Sequence, residues 1–258
     1  MARLDLRRQA AALAPRLAAL DLAALDARDR AAAIATWRGR MVNEHVSARV
    51  FAGLVPQLMR AEVDADLHEE VAAMIADELR HARLCAAAVH ALGGEAIAEL
   101  PPITAIPEHE DATPIEAVLR NVISIGCLSE TVAVALIDGE RLRTPDPELS
   151  TLLAEILADE VQHARFGWRF LEALAPGLDA ATRSRIDAYL EVAFAHLIEH
   201  ELAHLPARPA PSSAAEEIGV CDGNEARGLF FDTLRSVIVP GLTAHGFQAQ
   251  DALRRAMA

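Results

Sequence analysis

Lysine is missing from this chain: all 24 basic residues among its 258 are arginine. That excludes a pyridoxal Schiff base, a Walker phosphate loop and a Ser-Lys dyad, each of which needs a lysine amine. Cysteine is nearly as scarce. Cys85, Cys127 and Cys221 stand at unrelated spacings with no C-x-x-C, which fits a reduced cytoplasm. Aromatic residues make up 4%, and Tyr189 is the single tyrosine. Runs of alternating β-branched residues are almost lacking, so the expected class is all-α, with no strand. Positive charge is outweighed to a formal net −14, which argues against a nucleic-acid backbone or an anionic membrane surface as partner. The apolar stretch from Val122 to Ile137 is too short for a membrane span and carries Glu130 in its middle. A buried helix is the expectation there.

What the chain has is a phrase of eight residues used twice. Ala76-Asp77-Glu78-Leu79-Arg80-His81-Ala82-Arg83 returns 82 residues later as Ala158-Asp159-Glu160-Val161-Gln162-His163-Ala164-Arg165, with six positions identical. On an α-helix, residues three apart lie about 60° apart on one face. Each Glu-x-x-His therefore aims a carboxylate and an imidazole at one point, as a metal-ligand pair does.

Two ligands do not hold a metal, and the helix before each phrase supplies a further carboxylate, Glu44 and Glu130. Residues across an antiparallel helical hairpin are level when equally far from the turn. Glu130 and Glu160 are each 15 residues from Pro145, and Glu44 and Glu78 are each 17 residues from Ala61. These carboxylates share apolar faces: Glu78 with Val71, Met74, Ile75 and Cys85, and Glu130 with Ile123, Cys127, Val134 and Ile137. Taking a carboxylate out of water uncompensated costs several kcal/mol, so four of them on core faces call for cations. Carboxylate-rich ligation with one imidazole per metal suits iron or manganese better than structural zinc.

This pattern resembles the ferritin-like di-iron carboxylate proteins, in which two helices give a Glu each and two give Glu-x-x-His. The likeness covers about residues 33 to 174. Asp-Glu-x-Arg-His at 77 to 81 is similar to the phrase of ribonucleotide reductase small subunits and bacterial multicomponent monooxygenases. The resemblance implies two metal ions, iron with manganese as an alternative at one position. It makes Glu78 and Glu160 bridging ligands, Glu44 with His81 the remaining ligands of one metal, and Glu130 with His163 those of the other. It also implies that Asp77 supports His163 and Asp159 supports His81 from outside the ligand layer, with Arg80 beside them. Gln162 departs from that pattern.

In chain order, residues 1 to 30 read as an amphipathic helical extension broken near Pro15. The expected bundle, 31 to 175, has helices at about 31–59 (bent or ended near Gly53 and Pro56), 64–92, from 113, and 146–175. A long crossover fills 93 to 113, and Thr113-Pro114-Ile115-Glu116 is a capping box. Additional helices follow over 176 to 258: a fifth at about 182–205, a Pro/Ala/Ser-rich linker at 206–215, and a C-terminal piece broken at Pro240-Gly241. That piece either packs on the bundle or forms a homodimer contact.

The small residues Gly126, Cys127, Gly167, Ser47 and Ala48 beside the ligands leave room for a substrate, walled by Trp37, Met41 and Phe51. The other reading is that they let helices approach closely. His196, His200 and His204, with Glu199, either form a solvated face or supply a further metal ligand. The expected function is a non-haem di-iron oxidase or oxygenase, using O2 and an external electron donor on a small, largely apolar substrate. Its alternatives are ferroxidase or rubrerythrin-like handling of iron and peroxide, and a metal-stabilised binding protein.

Overall fold

The computed structural model describes residues 2–23, 25–102, 104–205 and 210–258. Four long helical stretches carry the repeated phrases and their partner carboxylates. Helix α2 spans Ala27–Arg60 and α3 spans Ala65–Ala91, following a short N-terminal α1 at Arg7–Leu13. Helix α4, Pro114–Val122, passes through a π-helical stretch, Ile123–Ser129, into α5, Glu130–Arg141. Helix α6 spans Pro147–Leu174. Side chains close the helix starts: Asp26, Asp64 and Asp146 each accept from backbone N–H groups of the first turn. Thr113 takes the N–H of Glu116 at 3.4 Å. The Glu116 carboxylate does not reach back in a capping box; it is buried and pairs with Arg120 and Arg185.

The first helix differs from expectation. It runs through Gly53 and Pro56 without ending, and closes at Ala61 and Glu62, where φ is +53°. Its sister stretch from Pro114 to Arg141 is long and apolar enough by length and composition to cross a membrane. Its Val118, Leu119, Val122, Ile123, Cys127, Leu128 and Val132 lie in the core of the bundle.

A short ribbon corrects the expectation of no strand. Strand β1, Arg3–Asp5, pairs antiparallel with β2, Ile97–Glu99, so the N-terminus is tied to the crossover. Leu4, Ala10 and Leu17 then enter the apolar cluster around α3.

After α6 come α7 at Ala180–His204, α8 at Ser213–Glu216, α9 at Gly223–Thr233, α10 at Val239–Ala244 and α11 at Ala249–Ala256. Residues 206–209 of the expected linker lie outside the described residues. The break near Pro240-Gly241 does not occur: a π-helical turn, Leu234–Ile238, leads straight into α10, which stops at Gly246 with φ +89°. Phe230, Leu234, Ile238, Leu242, Phe247 and Leu253 share one core with the bundle.

Candidate metal centre

All six residues of the two Glu and Glu-x-x-His sets converge. Ligand atoms of Glu44, Glu78, His81 and Glu160 lie within 4.8 Å of one another, as do those of Glu78, Glu130, Glu160 and His163. The two groups have Glu78 and Glu160 in common. Each group can hold a metal ion. Five of the six residues are buried, while the Glu44 side chain keeps 14% of its exposure.

The imidazoles are oriented from outside. His81 Nε2 lies 2.9 Å from Asp159 Oδ2, and His163 Nε2 lies 3.5 Å from Asp77 Oδ2, each Asp serving the opposite helix. A carboxylate only accepts, so each Nε2 carries a proton and each Nδ1 points inward, protonated against the glutamates in the metal-free cluster and available to a cation once that proton is lost. His81 Nδ1 is 3.2 Å from Glu160 and 3.5 Å from Glu44. His163 Nδ1 is 3.2 Å from both Glu78 and Glu160. Arg80 joins the two supports, since its guanidinium pairs with Asp77 at 3.0 Å and also with Asp159. One arginine serves both copies of the phrase, so the position of Gln162 in the second is not needed to pair these two aspartates.

Two atoms mark what is needed. Glu78 Oε2 is buried with no hydrogen-bond partner, and His81 Nδ1 has only carboxylate oxygens around it. An unpaired polar group in the interior costs about 1–3 kcal/mol, and a cation between the helices relieves both. The charges tell the same story. Burial, and then the nearby Glu160 and Glu44, hold the Glu78 carboxyl well above the usual range. Burial and Glu160 do the same to Glu130. Burial opposes charge on His81, but the close Glu160 and Glu44 carboxylates override it and raise its pKa to about 11. Without a cation the cluster holds itself together with protons.

The room expected beside Gly126 is not there. A Cβ on Gly126 would stand 2.7 Å from Gly167 Cα, because the two backbones touch. The small pair admits close helix approach rather than a substrate. Cys127 is fully buried in the same contact layer. The expected walls are divided between two apolar clusters. Phe51 meets His163 edge-on at 5.4 Å. Trp37 and Met41 belong to a second apolar cluster. There the Trp37 N–H donates to Ile218 O at 2.8 Å, and the Arg40 guanidinium sits 4.7 Å from its ring while pairing with buried Glu140. Trp37 anchors the segment after α8, where Gly219 at φ +91° leaves no space for a Cβ.

Sequence reasoning missed the π-helical stretch ahead of Glu130. Ser129 Oγ donates to Ser124 O at 3.2 Å, and Ser124 Oγ lies 2.7 Å from the Tyr189 hydroxyl on α7. Such stretches occur often at functional sites, but serine in a helix gives no distinct signal. Comparison of the chain with protein-family models and with curated proteins finds no match.

Proposed function

We propose that this chain is a ferritin-like dimetal carboxylate protein, an oxidase or oxygenase that uses O2 and an external electron donor on a small, largely apolar substrate. The observation that carries the reading is the pair of overlapping ligand groups sharing Glu78 and Glu160, with Glu78 Oε2 left without a partner. Glu78 and Glu160 would bind both ions, Glu44 and His81 one of them, Glu130 and His163 the other. Two iron ions, or manganese in place of one, would supply redox electrons and Lewis acidity to O2.

The chain's own residues supply the rest. Asp159 and Asp77 hold the Nε2 protons and so keep both Nδ1 atoms facing inward. Arg80 offsets the charge of those two carboxylates from the solvent side. Phe51, Cys127 and the Gly126–Gly167 contact exclude water on the far side. Glu44, as the most exposed ligand, marks the side from which a reactant approaches.

The Gly126–Gly167 contact also favours a second reading, in which the substrate is as small as ferrous iron or peroxide and the activity is ferroxidase-like or rubrerythrin-like. Metal analysis followed by anaerobic iron loading and O2 exposure separates the cases. Iron at two per chain with O2 uptake coupled to an organic substrate supports the first. Uptake coupled only to iron oxidation supports the second. Folded protein that binds no metal overturns both.

A further inference from the structure

Helix α7 carries other metal-donor side chains, on none of the elements that build the buried cluster. His196, His200 and His204 recur every four residues, so they form one row, and all three are exposed. The rings are arranged, not merely adjacent. His196 and His200 stack with 15° between planes and 6.4 Å between centroids. His200 and His204 are closer, at 4.2 Å. His204 Nδ1 lies 2.8 Å from the backbone oxygen of His200. That oxygen can only accept, so Nδ1 holds the proton and Nε2 keeps its lone pair. Metal-binding imidazoles are set this way, with one nitrogen donating to a carbonyl and the other left for the ion.

We propose that His200 and His204, with His196 as the alternate partner of His200, form a surface chelate for a divalent transition ion of the zinc and copper class. A zinc–imidazole bond of about 2.0–2.1 Å lets one ion reach both rings. Donors that are all imidazole favour zinc, copper or nickel over magnesium or calcium. The buried cluster, with four carboxylates to two imidazoles, selects differently, so one chain sorts two classes of metal. Partial desolvation, then the charges of His204 and His196, hold His200 at about 4, so its ring is neutral and available at pH 7. Water completes the ion's shell, and for the His196–His200 pair Glu199, which lines a surface groove of about 420 Å³ together with His196, is the neighbouring carboxylate.

The test is a Zn²⁺ titration of the full chain, followed by equilibrium dialysis and by ¹H–¹⁵N correlation of the imidazole nitrogens. Wild type is compared with His200→Asn, His204→Asn and, as control, the exposed His90→Asn. The expected result is that the His200 and His204 resonances shift with Zn²⁺. Each of the two variants then loses one zinc per chain or binds it about tenfold more weakly, while the control matches wild type. Unchanged stoichiometry and affinity in both variants overturns the proposal, as do shifts confined to His81 and His163. Those two resonances report the buried cluster separately, so failure of one site is not mistaken for failure of the other.

Discussion

Replacing Glu78 with Gln tests the geometry of the buried cluster most directly. Glutamine keeps the side-chain volume, so packing around this buried position on α3 is preserved, while the charged oxygens are lost. Glu78 belongs to both ligand groups, whereas Glu44 belongs to one. Glu78→Gln is therefore expected to abolish binding of both ions, and Glu44→Gln only one. Binding linkage gives the size: a ligand at a hundred times its Kd stabilises the folded state by about 2.7 kcal/mol per site. For a chain of this size about 2–4 °C of Tm accompanies each kcal/mol, so each ion should raise Tm by about 5–11 °C. The assay is anaerobic thermal unfolding with Mn²⁺ or Fe²⁺, alongside metal analysis by mass spectrometry. Wild type should show two increments, Glu44→Gln one and Glu78→Gln none. The metal-free Glu78→Gln chain should be at least as stable as metal-free wild type, because one buried carboxyl has gone. Retention of two ions by Glu78→Gln would refute the shared-ligand reasoning.

Other substitutions follow from the same packing. Gly126→Ala places a Cβ against Gly167 and should cost about 1–3 kcal/mol in urea unfolding. Gly39→Ala, with nothing within 4 Å of its Cβ on the same helix as Glu44, should gain about 0.5–1 kcal/mol; equal effects at both would sink the contact argument. Arg80→Gln should change metal-free stability by no more than about 1 kcal/mol, since Arg80 is 45% exposed. It should still weaken metal retention about tenfold by loosening Asp77 and Asp159, as competition with a chelator would show. Glu78 and His81 both have folded pKa values above their unfolded ones. The His81 contribution is full below about pH 6.5 and is lost as pH rises through about 11; ionisation of Glu78 adds a penalty in the same direction. Metal-free protein should accordingly lose stability as pH rises. Metal loading at pH 7 should release protons, measurable by calorimetry in two buffers; loading without proton release would contradict these shifts.

The six clustered residues were legible because their signals are local. Helix periodicity makes Glu-x-x-His a single-face pair, and equal distance from a turn puts Glu44 level with Glu78 and Glu130 level with Glu160. Caps at Asp64, Thr113 and Asp146 mark helix starts by chemistry that acts within three residues, whereas the start at Ala27 behind Asp26, four residues ahead of the expected 31, was not read. Pro56 and Pro240 misled, because a proline's lost N–H is tolerated where surrounding packing carries the helix. Contacts between distant segments were beyond reach. Whether Gly126 borders a cavity or a helix depended on Gly167 facing it across α6. The ribbon of Arg3–Asp5 with Ile97–Glu99 joins short segments that have no strand pattern of their own. The sequence by itself determined a predominantly helical chain with two Glu-x-x-His phrases and the carboxylates level with them, since these follow from the period of one helix and the symmetry of a hairpin. Tertiary structure alone decided that Gly126 meets Gly167 and that one arginine pairs with both supporting aspartates, since each depends on how helices far apart in the chain are packed.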